Sequence, residues 1–172
     1  MMDIRLAQAS DAPDISRLIS QLTRFFTVDP KGVGAESFLT GLEPSSISRL
    51  ITAPNFRYYV GLRREEMVGV VAIRDNSHLS HLFVIESLHS QGKGTLLWHH
   101  AKAAAINAGN PGRFTVNSTV FGVPVCETFG FKAVGPKTET KGIAFVPMLL
   151  DQAAVQGSAM SCLLRSTAMQ RK

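Results

Sequence analysis

"LFVIESLHSQGKGTLL", residues 82 to 97, passes from an apolar run through two glycines into a helical apolar pattern. Glycine has no Cβ, so a pair of them between a strand and a helix lets backbone amides come close to a ligand. The first amides of a helix lack intrahelical acceptors and attract anions. The expected grip is therefore the backbone of Gln91, Gly92, Lys93, Gly94 and Thr95 around a phosphate. Spacing excludes two common phosphate loops. A Walker A loop needs glycine at position 87, which is Ser, and a dinucleotide fingerprint needs glycine at position 97, which is Leu. The plain alternative is a glycine pair that only turns the chain, and the surrounding sequence has to decide between the two.

Upstream, "FRYYVGL" (56–62), "MVGVVAI" (67–73) and "HLSHLFVI" (78–85) read as three strands joined by polar turns, an antiparallel meander. Before them, Ile4 and Leu6 mark a short strand. Ile15, Leu18, Ile19, Leu22, Phe25 and Phe26 then recur at helical spacing behind a cap at Ser10 or Asp11. "TVDPKGVG" (27–34) reads as a loop, with short helical pieces at 35–42 and 45–52. Downstream, Leu97, Ala101, Ala104, Ala105 and Ala108 form the inner face of a helix ending at Gly109. A strand at 113–117, a short helix from Pro124 to Gly130, and two strands around Lys141-Gly142 follow. This order predicts an α/β or α+β sheet with helices on its faces. Residues 1–150 read as one domain and 151–172 as an appended tail, partly helical through Met160 to Leu164.

Composition narrows the function classes. At 172 residues, 45% hydrophobic and 18% charged, the chain fits one globular domain. Its 18 basic and 13 acidic residues are scattered without the dense stripe expected of a nucleic-acid protein, and the mild excess suits a polyanionic small ligand. The two cysteines, Cys126 and Cys162, form neither a disulfide framework nor a zinc ligand set. His78 and His81 have odd spacing, which puts them on opposite sides of a regular strand, and His99-His100 lack metal spacing. No metal is expected. "MMDIRLAQASDAPD" carries acids and no continuous apolar core, and no apolar run approaches a membrane span. The expectation is a soluble protein in a reducing cytoplasm, without a membrane partner. Trp98 and the Phe25-Phe26 pair lie in helical patterns and read as core.

With these residues in view, "LFVIESLHSQGKGTLL" resembles the acyl-CoA-binding segment of the GNAT superfamily of N-acyltransferases, Gln/Arg-x-x-Gly-x-Gly/Ala after a strand ending Leu-Phe-Val. His89 takes the Gln/Arg place, a departure. "TVNSTVFGVPVCETFGFKAVG" (115–135) resembles the family's later segment, a Val-Asn strand end followed by a helix closing in Tyr-Glu-x-x-Gly-Phe. The resemblance runs most strongly from residue 56 to 150. It implies a mixed, mostly antiparallel sheet of about seven strands, splayed between the fourth and fifth to admit the pantetheine arm of acetyl-CoA. It further implies that the backbone of Phe83, Val84 and Ile85 lies on one side of the arm and Asn117 on the other, with the diphosphate on the glycine loop.

Acyl transfer to an amine needs a deprotonated nucleophile, a polarised carbonyl and a proton for the leaving thiolate. In the family that proton commonly comes from the tyrosine of Tyr-Glu-x-x-Gly-Phe, and Cys126 stands in its place here. A thiol is a weak donor with a pKa of about 8.5, close to that of the leaving group, and a small buried hydrophobe is the competing reading. Tyr58 and Tyr59 are other phenolic donors, of which alternation lets only one face the cleft. His81 is the first candidate base and Glu86 the second. The expected function is transfer of acetyl from acetyl-CoA to a primary amine of a small molecule or peptide in a ternary complex. The alternative is a non-catalytic acyl-CoA-binding module, suggested by the departures at Cys126 and His89. Edge pairing near the last strand favours a homodimer, and the loops at 27–55 and 137–142 are expected to select the acceptor.

Overall fold

The computed structural model describes residues 1–152. The tail from residue 153, including the helix expected at Met160 to Leu164, lies outside the described residues. The elements in chain order are β1 (Asp3–Leu6), α1 (Ala12–Ser20), α2 (Glu36–Thr40), α3 (Pro44–Thr52), β2 (Phe56–Arg63), β3 (Glu66–Arg74) and β4 (His78–Val84). They continue with α4 (Lys93–Asn107), β5 (Arg113–Thr119), α5 (Val123–Thr128), β6 (Lys132–Ala133), β7 (Thr138–Thr140) and β8 (Ile143–Asp151). One sheet runs β1-β2-β3-β4-β5-β8-β6, with β7 also on β8. Every pairing is antiparallel except β4 with β5.

The mixed, mostly antiparallel sheet matches the expected class, with eight strands where about seven are expected. The difference lies after α5. Gly135-Pro136 breaks the chain, because proline has no N–H for a ladder. Lys132–Ala133 therefore pairs with Leu149 and Met148, while Thr138–Thr140 forms the hairpin with β8 across Lys141-Gly142. β8 is covered on both sides, so the free edges are β1 and the β6/β7 side.

Two cores lie on opposite faces. Under α4 and α5, Trp98, Phe114 and Phe131 are fully buried, with Trp98 5.2 Å from the Phe114 ring and 5.4 Å from Phe131. Truncating an aromatic of this kind costs about 3–5 kcal/mol. On the other face, Ile15, Leu18, Ile19 and Ile47 pack on Tyr58, Val60, Val70 and Ala72. This second core covers β2 to β4, while Thr115 and Asn117 of β5 remain exposed on the same face.

The first helix stops earlier than its apolar pattern suggests. Ser20 Oγ donates to the Arg17 carbonyl and Thr23 Oγ1 to the Ser20 carbonyl, each at 2.8 Å, and such hydroxyl bonds compete with the helical ladder. A short 3-10 turn, Thr23–Phe25, follows. Phe26 goes into the core at 5% exposure, and Phe25, expected there too, turns toward the loops described next.

Candidate active site

β4 and β5 share only two rungs, His78 with Thr115 and Leu79 with Val116. Beyond these the strands part, and strand alternation determines which backbone groups face the opening. The Ile85 N–H donates to the Val68 carbonyl at 2.9 Å, so residue 85 is directed toward β3 and Leu82 and Val84 toward the gap. On β5 the Thr115 N–H donates to the Ser77 carbonyl at 3.0 Å, so Asn117 and Thr119 share its direction and face β4. The backbone of Val84 and Asn117 thus faces the opening, whereas the Ile85 amide is bonded within the β3–β4 ladder and Phe83 shares its direction.

The glycine loop meets the carboxyl end of β4. Gly92 is the N-cap of α4 with φ of 71°, a left-handed conformation that suits glycine, and no side chain caps the helix. The amides of Lys93, Gly94 and Thr95 occupy its first turn, where no intrahelical acceptor exists. A Cβ added at Gly92 meets nothing within 4 Å, and one at Gly94 only Val84 Cγ2 at 3.9 Å. Gln91 is exposed and donates its side-chain N–H to the Ser87 carbonyl. His89 places Nε2 2.8 Å from the Val84 carbonyl oxygen and so ties the loop to the edge of the gap.

The three catalytic candidates are separated. Cys126 is buried in the core under α4 and α5, with Sγ 3.5 Å from Ser118 Oγ, and burial pushes its thiol pKa up. His81 is on the opposite face, its Nδ1 2.7 Å from the Tyr58 hydroxyl, and burial pushes its pKa down to about 4. At neutral pH the imidazole is uncharged. Glu86 opens a short 3-10 turn past β4, is exposed, and pairs with Arg24. Tyr59, on the face away from Tyr58, contacts the ring of His100 at 4.8 Å.

The expectation that His78 and His81 face opposite sides is overturned by a β-bulge. The β3–β4 register passes from Ile73 with Leu79 to Ala72 with His81 and skips Ser80. One extra residue restores parity, so His78, opposite Arg74, and His81, opposite Ala72, share a face. His78 uses Nδ1 on Thr115 Oγ1 at 2.8 Å.

The fold has counterparts among known proteins. A family model described as an acetyltransferase (GNAT) domain matches residues 26–152. The chain belongs to the GNAT family. Among solved structures, its fold is similar to a GCN5-related N-acetyltransferase from Rhodopseudomonas palustris, with TM-score 0.71, 16% identity, and 86% of this chain and 93% of that one covered. It is similar to the PaiA N-acetyltransferase of Thermoplasma acidophilum in complex with coenzyme A, with TM-score 0.67, 13% identity, and coverage of 87% and 98%. A GNAT acetyltransferase from Streptococcus pneumoniae gives TM-score 0.64 at 21% identity, with coverage of 87% and 99%. Among proteins of curated function, none has a sequence that matches this one.

Sequence reasoning missed several residues around the GNAT gap. Leu82 and Thr119 face it through backbone parity, which a single reference bond on each strand reveals and a sequence does not. Phe25, His89 and Phe121 meet ring to ring, with Phe25 4.7 Å from Phe121 and 5.4 Å from His89, joining α1's end, the glycine loop and the β5–α5 loop. The loop after α1 also reaches the β7–β8 hairpin. Val28 N–H donates to the Gly142 carbonyl at 2.9 Å, and a Cβ on Gly142, whose φ is 71°, would lie 2.4 Å from the Gly34 carbonyl carbon. Only glycine fits that contact.

Proposed function

We propose that this GNAT-family chain transfers an acetyl group from acetyl-CoA to the primary amine of a small molecule or peptide by direct attack in a ternary complex. The observation that carries the reading is the meeting of an uncapped helix start, with room beside Gly92 and Gly94, and two strand edges that no longer pair with each other. The first suits a diphosphate. The second, formed by Leu82 and Val84 opposite Asn117 and Thr119, suits an arm with amides to pair. The similar fold of a relative solved with coenzyme A supports the same placement. Lys93, half-buried at the first helical position, adds positive charge beside the diphosphate.

With the α4 face closed by core, the acceptor approaches on the α1 face, where among the described residues no helix packs over β5. An ammonium of pKa about 10 loses its proton more readily as apolar walls desolvate it. His81, held neutral, is the nearest acceptor the reading assigns to that proton, through Nε2 and water. The amine nitrogen then bonds to the carbonyl carbon, the C–S bond breaks, and the thiolate takes a proton from water. Cys126, across the sheet from His81, keeps a packing role.

Calorimetry with acetyl-CoA, followed by mass detection of acetylated product over a panel of amines, tests the reading. Tight binding with product formation supports it. Binding without product from any amine would mark the second reading, an acyl-CoA-binding module, which the burial of Cys126 favours.

A further inference from the structure

Side-chain rows cross the α1 face of the sheet, beginning at the His78–Thr115 rung. From β5 to β8, Thr115 stands opposite Leu149, Asn117 opposite Pro147 and Thr119 opposite Phe145. On β4 the bulge takes up one residue, so His81 comes level with the Asn117–Pro147 row and Phe83 with the Thr119–Phe145 row. Phe83 and Phe145 are both half-buried, and Phe26, from the second core, meets the Phe83 ring at 5.5 Å. Past Phe26 the chain closes the end of this strip, since Thr27 forms a bridge with Ile143 and the Val28 N–H bonds to the Gly142 carbonyl. Aromatic surface thus lies on β4 and on β8, with the short Thr119 side chain between them.

Charge is placed elsewhere. The two rows from His81 to Phe145 hold a neutral imidazole, an amide, a hydroxyl and apolar groups. The ions that share their face stand at the Leu149 row or past it, where Lys132 is opposite Leu149 and Arg113 pairs with Asp151. Glu139 is opposite Ala144 and shares the other face. Glu86 is paired with Arg24, and Asp29 accepts from the Lys31 and Val33 N–H groups. Taking an unpaired charge out of water against such a strip is costly, whereas an apolar ring gains with the surface it buries.

We infer that the acceptor is an arylalkyl monoamine, whose ring rests between Phe83 and Phe145 while its nitrogen reaches the His81 row. This rests on the acyl-transfer reading above and names the acceptor's chemical class. A polyamine would set a second ammonium against Phe83 and Phe145, where no carboxylate among the described residues receives it. An amino sugar would set hydroxyls there that lose water for few partners. The bond changes are those of that reading. The N–C bond forms, the C–S bond breaks with its electrons on sulfur, and the proton lost from nitrogen is balanced by the one that sulfur takes up.

The test measures kcat/KM for acetylation of 2-phenylethylamine, butylamine, spermidine, glucosamine and α-protected lysine. Wild type is expected to prefer 2-phenylethylamine over butylamine by about tenfold and over spermidine and glucosamine by about 100-fold. Phe145→Ala is expected to cut the ratio of 2-phenylethylamine to butylamine about tenfold, chiefly through KM, with acetyl-CoA binding by calorimetry showing that the variant is folded. Phe145→Leu takes its place if the alanine variant does not bind acetyl-CoA, and the ratio should then fall about threefold. Asn117→Asp, which puts a carboxylate of the same shape into the strip, is expected to raise spermidine about tenfold relative to 2-phenylethylamine. Spermidine, glucosamine or α-protected lysine as the best substrate overturns the inference and leaves the acyl-transfer reading intact. So does a ratio that the Phe145 variants do not move. A wild-type protein that binds acetyl-CoA and acetylates none of the five amines overturns both.

Discussion

His89 Nε2 lies 2.8 Å from the Val84 carbonyl oxygen, the group that strand alternation turns into the gap. One imidazole thus fixes the distance between the glycine loop and the strand edge that would flank the pantetheine arm. Ring contact with Phe25 at 5.4 Å extends this brace to the end of α1. A hydrogen bond of this kind contributes about 1 kcal/mol. His89→Ala is therefore expected to weaken acetyl-CoA binding about fivefold by calorimetry, and His89→Gln, which keeps a donor, to restore most of it.

Gly94 separates ligand binding from folding more cleanly than Gly92. A methyl at Gly94 has Val84 Cγ2 at 3.9 Å as its nearest neighbour, an ordinary contact, and alanine is a better helix former than glycine. Gly94→Ala should keep or slightly raise Tm. It should also weaken coenzyme binding at least tenfold, because the methyl occupies the approach of the diphosphate. Equal affinity for coenzyme would remove the loop from the site. Gly92→Ala adds left-handed strain of about 1–2 kcal/mol, so its loss of binding is accompanied by a loss of stability.

The half-buried His81 makes stability depend on pH with a definite sign. Its folded pKa of about 4 lies below the ordinary 6.5, so the unfolded chain binds the proton more readily. Stability from the neutral imidazole is complete above pH 6.5 and falls as pH drops from 6.5 toward 4. Its full loss is about 3 kcal/mol. His78, also lowered mainly by burial, acts in the same direction. Denaturant midpoints measured from pH 4 to 8 should fall on the acid side in wild type. In His81→Leu the slope should flatten, on a plateau lowered by about 1–3 kcal/mol because the Tyr58 hydroxyl loses its partner.

Cys126 is the residue whose assignment depends most on tertiary position. Buried at 6% exposure against Ser118, it has the surroundings of a packed side chain. Cys126→Ala should lower stability by about 1 kcal/mol and change kcat less than tenfold. A fall of a hundredfold or more, with coenzyme affinity intact, would return the thiol to the role of proton donor.

Much of this protein was written locally. Runs of strand-forming residues between polar turns mark β2 to β4, helical spacing marks α4, and the glycines at 92 and 94 stand between them, because backbone conformation answers to near neighbours. Parity was not local. A single extra residue at Ser80 reversed the facing inferred for His78 and His81, and only the register against β3 reveals it. Nor could spacing say that His81 and Cys126 lie across the sheet from one another, or that Phe25 leaves its helical row to meet Phe121. Those relations depend on which strands pair and where the ladder stops. They are long-range choices that burial and hydrogen bonding make together once the whole sheet has assembled.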